Sequence, residues 1–138
     1  MIRIEVVVKG ESDLPFTKLF EFKNEDEAIF LNIVEMVKDK LSRNLKLNVH
    51  EALLVYCVYL VSETRLHKSE SEIKDNSSKI LTRNNVLIGV PETLREITFN
   101  IAVDNLPKRI IQFVEPIPAK NYILIDPGVI GTTNREKL

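Results

Sequence analysis

Residues 48–61 read Asn-Val-His-Glu-Ala-Leu-Leu-Val-Tyr-Cys-Val-Tyr-Leu-Val, and the last ten of them form an unbroken apolar run. Asn48, with Glu51 three residues later, can cap the start of a helix reciprocally. A helix that is apolar on nearly every face is buried on most sides, so this stretch predicts the central helix of the core. We expect Leu54, Val58 and Val61 to share a buried face. The run is too short to span a bilayer, so no membrane partner is expected.

Upstream of this helix the hydrophobic pattern has two different periods. Apolar residues recur at intervals of three and four through residues 25–43, which predicts an amphipathic helix. The stripe consists of Phe30, Ile33, Val34, Val37 and Leu41. Residues 1–23 instead contain two extended segments around a loop with Gly, Ser, Asp and Pro, which predicts a β-hairpin. An isolated hairpin is marginal in water, so it should pack on the helices, pair with another hairpin, or meet a second copy.

Downstream, local signals predict three short helices. Ser69, with Glu72 three residues later, repeats the capping pattern. Thr82 can cap a helix over residues 83–88 that Gly89 ends. Pro91 can open one further helical turn.

The chain then returns to strands. Alternating apolar residues predict a second hairpin over residues 96–114, and residues 122–125, Tyr-Ile-Leu-Ile, predict a last short strand. An order of strands, then helices, then strands is typical of the α+β class.

Composition narrows the functional classes. The chain has 138 residues, one cysteine and a formal net charge of -1. A nucleic-acid-binding surface normally needs a clear basic excess, so no nucleic-acid partner is expected. The first residues, Met-Ile-Arg-Ile-Glu, do not have the pattern of a secretory signal, and we expect a cytoplasmic protein.

Three separate stretches resemble one protein family. They are residues 46–52, Lys-Leu-Asn-Val-His-Glu-Ala; residues 81–92, with Leu-Thr-Arg followed by Gly-Val-Pro-Glu; and residues 114–117, Val-Glu-Pro-Ile. Their order and spacing are similar to those of urease gamma subunits, and the resemblance covers about 25–117.

The resemblance implies packed helices with an antiparallel hairpin, in a urease built from gamma, beta and alpha chains. In that family the nickel ions and the catalytic residues belong to the alpha chain. The expected role is therefore that of a non-catalytic structural subunit, with no cofactor bound by this chain and nickel in the partner alpha chain. The expected partners are urease alpha and beta chains, in a homo-oligomer or trimeric assembly.

The chain departs from the family pattern at both ends. Residues 1–23 are an N-terminal hairpin extension, residues 24–117 the gamma-like domain, and residues 118–138 a tail that resembles the start of a urease beta subunit. His50 also stands where the family usually places proline.

Candidate catalytic and metal-binding residues are few. Only two histidines exist, His50 and His67, whereas protein nickel or zinc sites usually use several histidine or thiolate ligands. Cys57 lies within the apolar run, two helical turns from His50, which is too far for a nucleophile pair. The carboxylate clusters at 25–27 and 70–72 suit the first turns of helices. We therefore assign no catalytic, cofactor-binding or metal-binding residue.

Two alternatives remain open. The chain could be a stand-alone gamma-like interaction module or homo-oligomer outside the urease system, for which the added hairpin and short tail argue. It could also be an enzyme in its own right, against which its poor inventory of acids, bases and nucleophiles argues.

Overall fold

Four helices and four strands make up the computed structural model, which describes residues 1–11 and 14–118. The strands are β1 (Ile2–Lys9), β2 (Phe16–Phe22), β3 (Glu96–Val103) and β4 (Arg109–Val114). The helices are α1 (Glu27–Ser42), α2 (Val49–Arg65), α3 (Glu70–Asp75) and α4 (Val90–Thr93), with short 3-10 turns at Asn24–Asp26, Ser77–Lys79 and Arg83–Asn85. This arrangement confirms the α+β fold. The strand expected at 122–125, and the tail beyond Pro118, lie outside the described residues.

The two hairpins form one antiparallel sheet. Its strand order is β2-β1-β3-β4, so β1 lies between β2 and β3. Ile4 of β1 pairs with Phe20 on one side and with Ile101 on the other. Of the three arrangements expected for residues 1–23, the chain adopts two: β1 pairs with the 96–114 hairpin, and β2 packs on the helices, with Phe22 edge-on to Phe30 of α1 at 5.1 Å.

One face of this sheet carries the core. The inward side chains of β1 and β3 are buried to 2% exposure or less: Ile2, Ile4, Val6, Val8, Ile97, Phe99, Ile101 and Val103. Phe113 of β4 packs edge-on against Phe99 (ring centroids 5.1 Å apart) and against Tyr56 of α2 (5.6 Å). These contacts seat α2 against the sheet, as the apolar run predicted.

The buried face of α2 differs from the expected one at a single position. Leu54 and Val61 are buried, but Val58 is only half-buried. Val58 faces the space between α1 and α2 instead of the sheet.

The helix expected over residues 83–88 is wrong. Only a 3-10 turn, Arg83–Asn85, forms there, and Val86 is extended (φ -130°, ψ 157°). Val86 forms a parallel bridge with Leu47, supported by backbone hydrogen bonds of 2.9 Å on either side. Both side chains are buried, so this non-local pairing overrides the local helical signal. Gly89, at φ +95°, caps the start of α4 rather than ending the preceding turn.

Within the described residues, no helix is long and apolar enough to cross a membrane.

Candidate subunit interface

His50 of α2 is exposed and contacts the N-terminal hairpin. It lies in the first turn of α2, where the expected capping box forms: Asn48 Oδ1 accepts from the Glu51 N–H at 2.8 Å, and Glu51 Oε1 accepts from the Asn48 N–H at 2.9 Å. The imidazole packs on the Phe20 ring (5.6 Å) and lies 3.4 Å from Lys18 Nζ. These two contacts of His50 connect β2 of the hairpin to α2.

The two histidines are too far apart to share a metal ion. His67 follows the last turn of α2, 17 positions after His50, which corresponds to about 25 Å along a helix. Within residues 1–11 and 14–118, no group of three or more His, Cys, Asp or Glu residues is placed to hold a metal ion. The donor set of this part of the chain therefore does not fit a nickel centre.

Cys57 lies in the core and is 2% exposed. Burial raises the pKa of its thiol well above the ordinary range, so the neutral form predominates. A protonated, buried thiol is a poor nucleophile and a poor metal ligand.

The carboxylate clusters are used in caps and ion pairs. Asp26 accepts a hydrogen bond from the Lys23 N–H at 3.2 Å. Glu72 completes a capping box with Ser69, and the hydrogen bonds from the Ser69 N–H and hydroxyl lower the pKa of Glu72. These contacts stabilise helix starts, which is the role expected for both clusters.

A half-buried ion pair joins α1 to α2. Lys40 Nζ donates to Glu51 Oε2 at 2.6 Å, with the two side chains 33% and 19% exposed. Burial alone would raise the pKa of Glu51, but the hydrogen bonds from Lys40 and from the Asn48 N–H outweigh it and lower that pKa. The two carboxylate oxygens of Glu51 therefore accept from different elements, one from the cap at Asn48 and the other from Lys40 of α1.

Three large apolar residues of α1 are exposed within the described residues. Only Phe30 and Val37 of α1 are buried, whereas Ile29, Leu31 and Met36 are 54%, 53% and 62% exposed. Ile29 and Met36, seven residues apart, share the face on one side of the buried line, and Leu31 lies on the other side of it. The predicted stripe omitted these three residues, although α1 has more apolar residues than one core-facing stripe needs.

A groove between α1 and α2 lies on the side of the buried line that carries Leu31. It encloses about 360 Å³, and its walls are mainly apolar. The lining residues are Val34, Val37, Lys38, Leu41, Val55, Val58, Tyr59, Ser62, Glu63 and Ile80. We refer to this groove and the exposed residues Ile29, Leu31 and Met36 as the α1 surface. An apolar surface of this kind is typical of a protein-binding site.

Comparison with known proteins agrees with this reading of the fold. Residues 19–117 match the family described as "Urease, gamma subunit". The chain is also similar to the urease subunit gamma of Halalkalibacterium halodurans, with 38% identity over 74 residues. That alignment covers 53% of this chain and 74% of the relative. The match begins within β2, so β1 precedes the matched region.

Proposed function

Because the chain belongs to the urease gamma-subunit family, we propose that it is a non-catalytic structural subunit of a urease-type complex. In this proposal a partner alpha chain holds nickel and hydrolyses urea to ammonia and carbamate in the cytoplasm. This chain contributes binding surface to the alpha and beta chains of a threefold assembly. The observation that carries the proposal is the family match over 99 of its residues, 19 through 117.

The α1 surface supplies the proposed contact with those chains. Burying Ile29, Leu31 and Met36 would remove apolar area from water, and apolar burial is the main favourable term in protein association. The neighbouring groove offers a concave site for side chains of a partner. A carboxylate buried in such an interface would be desolvated without a partner, which strongly opposes binding.

Co-purification tests this proposal. The full chain is produced together with urease alpha and beta chains from its native organism, and the complex is isolated through the alpha chain. We expect the wild-type chain to be recovered in stoichiometric amount and Met36→Glu to be lost. Leu66→Glu is the matched control, because Leu66 is about equally exposed, at 61%, but follows the last turn of α2 and lies outside the α1 surface. Recovery of Met36→Glu at the wild-type level would refute the role of the α1 surface, and failure to recover the wild type would refute the subunit role.

The isolated chain should neither hydrolyse urea nor bind nickel tightly. The separation of His50 from His67 and the inert Cys57 are the physical reasons within the described residues. Equilibrium dialysis with nickel and an ammonia-release assay on the purified chain measure both properties. Stoichiometric sub-micromolar nickel binding, or urea turnover, would contradict the proposal.

The β1 strand favours one alternative function. It lies outside the matched residues yet occupies a central position in the sheet. A protein-interaction module outside the urease system could have gained this strand together with a different partner. Absence of the alpha and beta chains from material that co-purifies with the chain from its native cell would favour this alternative.

A further inference from the structure

The two edges of the sheet differ in how they are protected. Edge strands commonly carry charges that discourage pairing with another chain. β2 contains Lys18 and Glu21 within its length. β4 has no charged residue between Arg109 and Glu115, and the intervening sequence is Ile-Ile-Gln-Phe-Val.

The hydrogen bonds between β4 and β3 show which backbone groups of β4 face away from β3. The Glu115 N–H donates to the Arg95 carbonyl at 2.7 Å, which continues the register of odd-numbered residues bonded to β3. Because backbone groups alternate in direction along a strand, the even-numbered residues direct their N–H and C=O groups to the other side. Those residues are Ile110, Gln112 and Val114, and no strand within residues 1–11 and 14–118 pairs with them.

We propose that β4 pairs antiparallel with β4 of a second copy of this chain, about a twofold axis at Gln112. The two four-stranded sheets then become one sheet of eight strands. Each even-numbered residue exchanges backbone hydrogen bonds with its counterpart, and Gln112 lies opposite Gln112 of the other copy. This homodimer contact is independent of the urease role, because it uses β4 and leaves the α1 surface free.

The side chains of β4 are complementary in this register. Ile110 comes opposite Val114, so two side chains that are 62% and 63% exposed in the single chain cover each other on the outer face. A strand with this symmetric pattern is self-complementary, as a twofold interface requires.

The two neighbouring registers are less favourable. Outward-directed residues must pair with each other, so these symmetric pairings are shifted by two residues and centre on Ile111 or on Phe113. The first places Ile110 opposite Gln112 and Val114 opposite Lys108, and the second places Val114 opposite Gln112 and Ile110 opposite Pro116. In neither register do Ile110 and Val114 cover each other.

Cysteine cross-linking distinguishes the proposed register from random contact. Gln112→Cys places two thiols on directly opposed residues, whose Cα atoms are about 5.5 Å apart and within disulfide range. Ile110→Cys is the matched control on the same edge, because its counterpart in the other copy is offset by four residues, about 14 Å. The native Cys57 is buried and contributes little background. Circular dichroism confirms that each variant is folded before oxidation.

We expect Gln112→Cys to form a covalent dimer and Ile110→Cys to remain monomeric under the same oxidation. A mixture of Ile110→Cys with Val114→Cys chains should give the mixed dimer. Sedimentation equilibrium of the wild-type chain should give twice 15.9 kDa, and Gln112→Lys, which opposes like charges on the axis, should lose the dimer. A monomeric wild-type chain at all attainable concentrations would overturn the proposal, as would equal cross-linking of Gln112→Cys and Ile110→Cys.

Discussion

Removal of residues 1–23 should abolish independent folding, because β1 is a central strand of the sheet. Four of its side chains, at Ile2, Ile4, Val6 and Val8, are 1% exposed or less. Full burial of such a side chain contributes about 1.5–3 kcal/mol, so the four together contribute about 6–12 kcal/mol. A domain has a total stability of only about 5–15 kcal/mol. Deletion also leaves one side of β3 without its partner strand.

Urea unfolding followed by circular dichroism measures this effect. We expect the truncated chain to lose the cooperative transition of the full chain. A single substitution in β1 should have a smaller effect than its deletion. Ile4→Ala should lower the free energy of unfolding by about 2–5 kcal/mol, because Ile4 is fully buried between Phe20 and Ile101. Glu5→Ala is the matched control on the exposed face of the same strand, with an expected change within about 0.5 kcal/mol. A truncated chain that unfolds cooperatively at the wild-type urea midpoint would refute the reasoning.

Three further predictions concern α2. Leu54→Ala should lower the free energy of unfolding by about 2–5 kcal/mol in urea titration, and the half-buried Val58→Ala should have a smaller effect; equal effects would contradict the observed burial. In the folded chain, the hydrogen bond from Lys40 lowers the pKa of Glu51. The ionised Glu51 therefore stabilises the fold above about pH 4.5, and this stabilisation is lost as the pH falls through the pKa of Glu51 in the folded chain. Glu51→Gln should therefore destabilise the chain at pH near 7 more than at pH near 3, and equal destabilisation would disprove the linkage. The Cys57 thiol should react slowly with a thiol reagent in the native chain and fully in urea, and rapid native labelling would contradict its burial.

Local signals in the sequence predicted the helices that begin with a cap. Asn48 with Glu51, and Ser69 with Glu72, form the reciprocal hydrogen bonds that their spacing suggested. Such contacts join residues three apart, so they depend little on the rest of the fold. The helix expected over residues 25–43 is also present, as Glu27–Ser42 preceded by a 3-10 turn.

Non-local contacts account for what the sequence did not predict. The Thr82 cap and Gly89 favoured a helix at residues 83–88, but Val86 pairs with Leu47, 39 positions earlier. The choice of β3 as the partner of β1 depends likewise on packing between distant segments, which a periodic pattern cannot reveal.

The exposed part of the candidate interface was also missed. The helical period identified the buried line through Phe30 and Val37, but it gave no measure of how much of α1 the core would cover. The sequence shows that Ile29 and Met36 are apolar, but only the structure shows that they are exposed. The exposure of apolar residues is what marks a binding surface.

The pairing of β1 with β3 also constrains the order in which the chain can fold during synthesis. Ile2 of β1 pairs with Val103, so β1 leaves the ribosome about one hundred residues before that partner. Contacts between segments so distant in sequence slow folding, because a long loop must close before they form. During this interval the edge of β1 that pairs with β3 has no partner strand, and unpaired strand edges make folding intermediates prone to aggregation. Pairing of β1 with β3 then docks the hairpin of β3 and β4 onto the hairpin of β1 and β2.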